Sequence, residues 1–430
     1  MKEKFIKLVK SRGASGELSI VIDYHFGVNF ENNIFKGIEE GEIRGISVRV
    51  KKDGKIGFSY AEGDARIEDV VDSAFDVLSY GENVDFDFVK ALPPSNVRCF
   101  DRKIVDESRD ESIKNGKEFV DFVRNLKDGI KAGYSESKDV IYKEIVTTNG
   151  FSGSFDKTVK SVAVSAFYVE EGNFLDVYAS QSRSVNEMFD LETLREKIKT
   201  DILAANRTAK ISSGKYPVIF TPFSVNELFT PLIFALNGLN IYRGRSLLRG
   251  KLAKEVFSPN LTVVDNPTIS GGAYSVPFDG EGVASERKEL IAKGVVSNYL
   301  SDLYVSSRLK IASGNAARTI SYPPHPASSN IIIRPGDVPV KNMLSIKRGL
   351  LVESLMGVAM GNIVGGEVNG NVELGFLVEN GKIVGRVKNT MIDLNIFEAF
   401  KDIALSQENI WLDKFISPYF YIPNVSVSAK

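Results

Sequence analysis

Residues 346–395 read IKRGLLVESLMGVAMGNIVGGEVNGNVELGFLVENGKIVGRVKNTMIDLN, and glycine returns every few positions between short alternations of apolar and polar side chains. An amphipathic helix does not produce that pattern. Phe376 and Val378 lead into Asn380-Gly381, and Ile383, Val384 and Val387 follow it. Asn-Gly tolerates the two positive φ angles of a type I′ turn, so this stretch predicts a β-hairpin. Upstream, Gly357, Gly361, Gly365, Gly366 and Gly370 are too closely spaced for a packed strand interior. They predict bulges, sharp bends or the close approach of another backbone. Gly361 and Gly365 are therefore candidate contacts for a peptide or partner strand, with bends in a barrel as the alternative reading.

Working outward toward the N-terminus, the same alternation recurs. GISVRVKKDGKIGFSYA (45–61) places Ile46, Val48 and Val50 before Asp53-Gly54 and Ile56, Phe58 and Tyr60 after it, a second predicted hairpin. Turn chemistry also falls at Asn32-Asn33, Glu40-Gly41, 147–150 and 170–173. Helical spacing of apolar residues appears over 2–11, 66–80, 111–126 and 191–207. The stretch 85–104 has Pro93-Pro94 and little periodicity and reads as an inter-domain linker. After a strand at YPVIFTP, SVNELFTPLIFALNG (224–238) reads as a helix, with Ser224 and Glu227 as a capping box and Pro231 as a bend. The fold class is α+β, with largely antiparallel sheets and covering helices. Three units are expected: N-terminal α+β modules at 1–95 and 105–212, and a glycine-rich, β-dominated C-terminal domain at 213–430.

The 430 residues carry 54 Lys plus Arg against 55 Asp plus Glu, so no global field draws the chain to a polyanion, which argues against nucleic acid as a partner. The N-terminus MKEKFIKLVKSRG lacks the apolar core of a signal peptide, and no window approaches a membrane span. A cytoplasmic protein with no membrane association is expected. A single cysteine, Cys99, excludes an internal disulfide, and the only histidines are His25 and His325. These three are too scattered for the usual zinc-ligand spacing. Cys99 reads as a small apolar residue and the two histidines as solvated or partly packed rings. Asp279 and Glu281 in PFDGEGV place two carboxylates on a glycine-flanked turn, suited to acid and base chemistry or to orienting a partner. Arg243, Arg245, Arg249 and Lys251 form either a solvated face or a carboxylate clamp.

In order along the chain, GISVRVKKDGKIGFSYA, PFDGEGVASERKELIAKGVV, SGNAARTISYPPHPASSN, LLVESLMG and GFLVENGKIVGRVKN resemble the TldD/PmbA family, once labelled modulators of DNA gyrase. In that family one subunit type carries an HExxxH helix and a later cysteine and acts as a zinc peptidase; the other, PmbA or TldE, pairs with it. The corresponding helix here, SVNELFTPLIFALNG, has no histidine, and NIWLDKFISPYFYIPNVSVSAK has no cysteine. The resemblance therefore implies the PmbA/TldE type: no catalytic residue, metal site or cofactor in this chain, zinc in a TldD-like partner, and an unfolded or extended peptide as substrate. Asp279, Glu281, Arg287 and Asn315 become candidates for shaping the partner interface or peptide channel. A homodimer is the alternative assembly. A stand-alone peptide-binding or scaffold protein, and an autonomous hydrolase with an unrecognised site, are the alternative functions.

Overall fold

The segments flanking Asn32-Asn33 and Asp53-Gly54 form the hairpins they predict in the computed structural model, which describes residues 1–90, 93–170 and 173–429. β1 (Ser15–Glu31), β2 (Ile34–Lys52) and β3 (Lys55–Glu62) run antiparallel. Their turns hold positive φ at Asn32 (53°), Asn33 (70°), Asp53 (51°) and Gly54 (77°), the type I′ signature. No turn forms at Glu40-Gly41. Gly41 instead pairs with His25 inside the long β1–β2 ladder, where continuous cross-strand bonding outweighs local turn chemistry. The turn expected at 170–173 falls in part on residues 171 and 172, outside the described residues.

β4 (Lys131–Thr147), β5 (Ser152–Glu170) and β6 (Asn173–Arg183) add three further antiparallel strands, giving the order β3-β2-β1-β4-β5-β6. The stretches expected as separate modules at 1–95 and 105–212 thus contribute three strands each to one sheet, joined by the β1–β4 ladder. Helices cover one face of it. α1 (Lys2–Ser11) and α2 (Ile67–Asp76) pack Phe5, Val9 and Val71 on Leu18 and Val48. α3 (Arg102–Asp106) caps its own start through Asp101. α4 (Arg109–Arg124) and α5 (Leu191–Ala204) bury Phe119, Val123 and Ile198 against Val28 and Val164. Apart from residues 91 and 92, which lie outside the described residues, the stretch 85–104 is not a loose linker. Phe86, Phe88, Cys99 and Ile104 are buried, because a strap crossing between two sheets gains more by turning its apolar side chains inward than by staying solvated.

In the C-terminal unit β7 (Gly214–Phe220) pairs in parallel with Arg348–Met356 and antiparallel with Phe415–Ala429. Those strands connect through Glu367–Glu379 and Thr390–Asn395. Five strands therefore close into a ring, which leaves no unpaired edge among them. α6 (Val225–Leu236) lays Leu228, Phe229 and Leu232 on this core. The expected capping box is absent: the Ser224 hydroxyl donates to the Thr221 carbonyl at 2.9 Å, because a 3₁₀ turn at Pro222–Ser224 leads into the helix. Asn380 and Gly381, at φ 48° and 79°, form the hairpin turn read from the sequence. The glycine run serves the chain's own packing at three positions, since a Cβ on Gly365 would meet the Asn362 side chain. A Cβ on Gly366 (φ 83°) would lie 2.4 Å from the Phe397 ring, and one on Gly370 would lie 3.0 Å from Val358. Gly361 and Gly365 sit at two 3₁₀ turns, Val358–Met360 and Ile363–Gly365, between the strands.

Candidate functional site

Among the described residues, the second face of the six-stranded sheet carries no helix of the N-terminal stretches and meets the C-terminal unit. Alternation decides what it presents. Ser19, Val21 and Asp23 of β1 stand opposite Ile145, Lys143 and Ile141 of β4, and Lys143 and Ile141 stand opposite Phe155 and Lys157 of β5. Ser161 of β5 pairs with Ser182, which carries the same face on to Ser180, Tyr178 and Asp176 of β6.

A buried ion cluster pins the two units together at one end of this seam. Arg49 donates to both Glu17 oxygens at 3.1 and 2.8 Å and to Glu281 at 2.7 Å, and its guanidinium lies 5.6 and 5.3 Å from the rings of Phe86 and Phe88. Arg318 donates to Glu17, to the Gly280 carbonyl and to Ser47. Burial alone would raise the pKa of Glu17, but Arg49 and Arg318 outweigh it and hold that carboxyl below its usual range. Burial pushes Glu281 up despite Arg49. Bidentate and charge-assisted bonds of this kind fix orientation as well as attraction.

Beside the cluster the seam opens into a cavity of about 210 Å³, lined on the sheet side by Lys143 and Lys157 and on the other by Asp265, Asp279 and Asn315. Further along lies a cleft of about 380 Å³ with Asp176, Glu227, Glu353, Glu373 and Asp413 in its wall. Tyr274 borders both. In the cleft Glu353 accepts from Lys197 at 2.7 Å and Thr221 at 2.9 Å, and Asp413 accepts from Ser182 at 2.8 Å. Glu227 projects from α6 with one buried oxygen lacking a partner, and burial raises its pKa. Burial, then Asp176, does the same for Glu373.

The structure separates the residues singled out in the sequence. Asp279 and Asn315 meet in the seam cavity. Asp279 does not sit on a flexible turn: it is buried and accepts from the backbone N–H groups of Glu281, Val283 and Ala316 at 2.9, 3.0 and 3.0 Å. Burial, then the Glu281 charge, pushes its pKa up to about 7. Glu281 is likewise buried, in the ion cluster. These carboxylates turn inward because the loop folds over the seam, where fixed N–H and guanidinium donors replace water. Arg287 is exposed and bonds Glu289 at 3.0 Å. Gly361 and Gly365 lie in the C-terminal loop, outside both cavities. Arg243, Arg245, Arg249 and Lys251 are all exposed. Cys99 is buried, and burial raises its thiol pKa. His25 contacts Asp139 at 2.7 Å, and His325 is exposed.

The PmbA/TldA metallopeptidase C-terminal domain matches residues 213–429, and PmbA/TldA metallopeptidase domain 1 matches residues 16–78. The chain belongs to the PmbA/TldD metallopeptidase family. It is 28% identical to an uncharacterized protein of Methanocaldococcus jannaschii, over 97% of each chain. It is 26% identical to the metalloprotease PmbA homolog of Buchnera aphidicola subsp. Acyrthosiphon pisum, over 93% of this chain and 89% of that one. The crystal structure of TldE from Thermococcus kodakarensis superposes with a TM-score of 0.91 at 17% identity, over 99% of each chain, which shows a shared fold.

The PmbA/TldD name implies a metal, and the residues here do not fit a zinc site. Zinc in a catalytic centre takes about three protein ligands, chiefly imidazole, thiolate and carboxylate. Among the described residues no three His, Cys, Asp or Glu side chains are placed to hold a metal ion. Neither histidine lines the cleft. Sequence reading missed the cleft acids and the two cavity lysines. The available signal was Lys143 and Lys157 standing in otherwise apolar rows, with Ile141 and Ile145 and with Phe155 and Val159. A lysine in a half-solvated strand gives the same pattern, and only the covering unit distinguishes the two.

Proposed function

We propose that this chain is the PmbA/TldE-type subunit of a two-component metallopeptidase, pairing with a TldD-like subunit that carries the zinc. One observation carries the reading. α6 projects Glu227 into the acidic cleft, and an HExxxH motif built around that glutamate would place its histidines at Asn226 and Pro231. An amide and a proline ring cannot replace two imidazoles on zinc, so no bound water in this chain would be activated for hydrolysis. The chain instead shapes the chamber, in the cytoplasm, around an unfolded or extended peptide. β6 is the terminal strand of its sheet and runs beside the cleft, which suits a peptide held as an added strand through backbone bonds.

The test is reconstitution. A purified TldD-type subunit alone is expected to hydrolyse peptides poorly and to gain activity when this chain is added. This chain alone should show no chelator-sensitive cleavage. Full activity of the zinc subunit alone, or stoichiometric zinc with chelator-sensitive cleavage by this chain, overturns the assignment.

A further inference from the structure

Three residues that border the seam cavity, Ser285, Ser328 and Arg318, each hold a buried polar atom without a hydrogen-bond partner: the two Oγ atoms and Nε. Ser285 is 2% exposed and Ser328 8% exposed, so bulk water does not serve them freely. A buried donor without an acceptor is costly, and such groups in a folded protein commonly mark a place where something else binds.

The lysines point the same way. Lys143 and Lys157 occupy diagonal positions on β4 and β5, where neighbouring side chains lie within reach of each other. Lys157 is buried and donates to the Ser275 carbonyl at 3.1 Å, and among the described residues neither lysine forms an ion pair with a carboxylate. The acids that line the cavity are already committed. Asp265 accepts from the Ser329 N–H at 2.6 Å, the Ser329 hydroxyl at 2.8 Å and Asn315 at 2.6 Å. Asp279 accepts its three backbone N–H groups. Asp23 on β1 offsets part of the Lys143 charge and leaves Lys157 uncompensated. Phe155 and Phe278 form an apolar wall, with ring centroids 5.0 Å apart.

We propose that the seam cavity is a binding site for a small carboxylate, its oxygens taking the ammonium groups of Lys143 and Lys157 and the hydroxyls of Ser285 and Ser328, with an apolar tail against Phe155 and Phe278. Arg318 Nε supplies a further donor. Charge-assisted bonds to the two carboxylate oxygens, with about four lone-pair sites, satisfy the two ammonium groups and the two hydroxyls. The Phe155 and Phe278 rings favour an anion with an apolar side over a four-oxygen anion, which has none to lay on them. The site is on this chain alone, so its failure would leave the subunit assignment standing.

Binding should depend on pH. Burial, then the charge of Lys143, lowers Lys157 to about 7. The groups facing the two lysines are Cys99 from the crossing strap, Asp23 on β1 and Arg318 on the C-terminal side; Asp265 and Asp279 line the far wall. The protonated lysine holds the anion, so affinity should fall as pH rises from about 6 to about 8.

Calorimetric titration of the full chain with isovalerate, isovaleramide and inorganic phosphate tests this. Isovalerate is expected to bind with Kd on the order of 1 mM or tighter, with phosphate and the uncharged amide at least roughly tenfold weaker. Lys157→Met should weaken isovalerate roughly tenfold or more with circular dichroism unchanged, and Ser328→Ala by a smaller factor. If Lys157→Met does not fold, Ser328→Ala and the pH series carry the test. Absence of isovalerate binding, equal binding of the amide, a preference for phosphate, or wild-type affinity in the folded variants overturns the proposal.

Discussion

The seam cavity and the acidic cleft lie on the same face of the same sheet and share Tyr274, yet the sheet turns Lys143 and Lys157 into one and Asp176 into the other. The chain as a whole is nearly neutral, with a formal charge of −1. Local sign therefore comes from register. β4 and β5 bring two lysines side by side, whereas β6, α6 and the strand Arg348–Met356 bring acids into one wall. The comparison also separates two ways of holding a buried charge. Arg49, Glu17 and Glu281 compensate one another, while Lys157 has only a carbonyl and Glu227 keeps an oxygen without a partner. Compensated charge is structural in its effect, and uncompensated charge is available to a ligand.

The largest effect should come from breaking the compensated set. Arg49→Met leaves Glu17 and Glu281 buried without their main partner and should cost about 3–5 kcal/mol in denaturant unfolding. A loss below about 1 kcal/mol would erase the distinction between the cluster and the cavity. Lys157→Met should do the opposite. Removing a lysine held near neutrality by burial is expected to raise stability by about 1–3 kcal/mol at pH 7. The lysine pKa is 10.5 unfolded and about 7 folded, so folding releases a proton between those values and wild-type stability rises with pH across that window. The gap between wild type and variant should therefore close toward pH 10.5.

A smaller change is expected in the cleft. Glu227→Gln removes a carboxylate whose pKa burial has raised from 4.5. Protons bind the folded form more tightly, so the wild type is penalised above the folded pKa and relieved as pH falls through it. The variant should be more stable by roughly 1 kcal/mol near pH 7, with the difference shrinking toward pH 4.5. Arg287→Ala, at an exposed pair with Glu289, should change stability by no more than about 0.5 kcal/mol. A larger loss would mean that the loop between the units bears on the seam.

Much of the fold was legible from local chemistry. Asn32-Asn33, Asp53-Gly54 and Asn380-Gly381 are turns because their residues accept positive φ whatever surrounds them. The helices over 2–11, 66–80, 111–126 and 191–207 followed from apolar spacing and are found within a few residues of those limits. Glu40-Gly41 carried the same kind of turn signal and was overridden, since its outcome depended on whether β1 continued opposite it. The candidate site was legible only in fragments: Asp279 and Asn315 stood out, whereas Lys143, Lys157, Ser285 and Ser328 did not.

By itself, the sequence determined the hairpins, the helical segments, the glycine-rich β character of residues 346–395 and the family. Those are properties of neighbouring residues, set by backbone conformation and by a period of two or about 3.6. Tertiary structure decided that β1 and β4 join the two N-terminal stretches into one sheet, that five strands close a ring, and that the helix-free sheet face is covered. With that cover in place, Asp279 and Glu281 became buried acceptors rather than a solvated acidic turn, and Lys143 and Lys157 became lining of a cavity. The reason is physical: the cost of a charge depends on the solvent it loses and the partners it gains, and both are supplied by segments more than a hundred residues away.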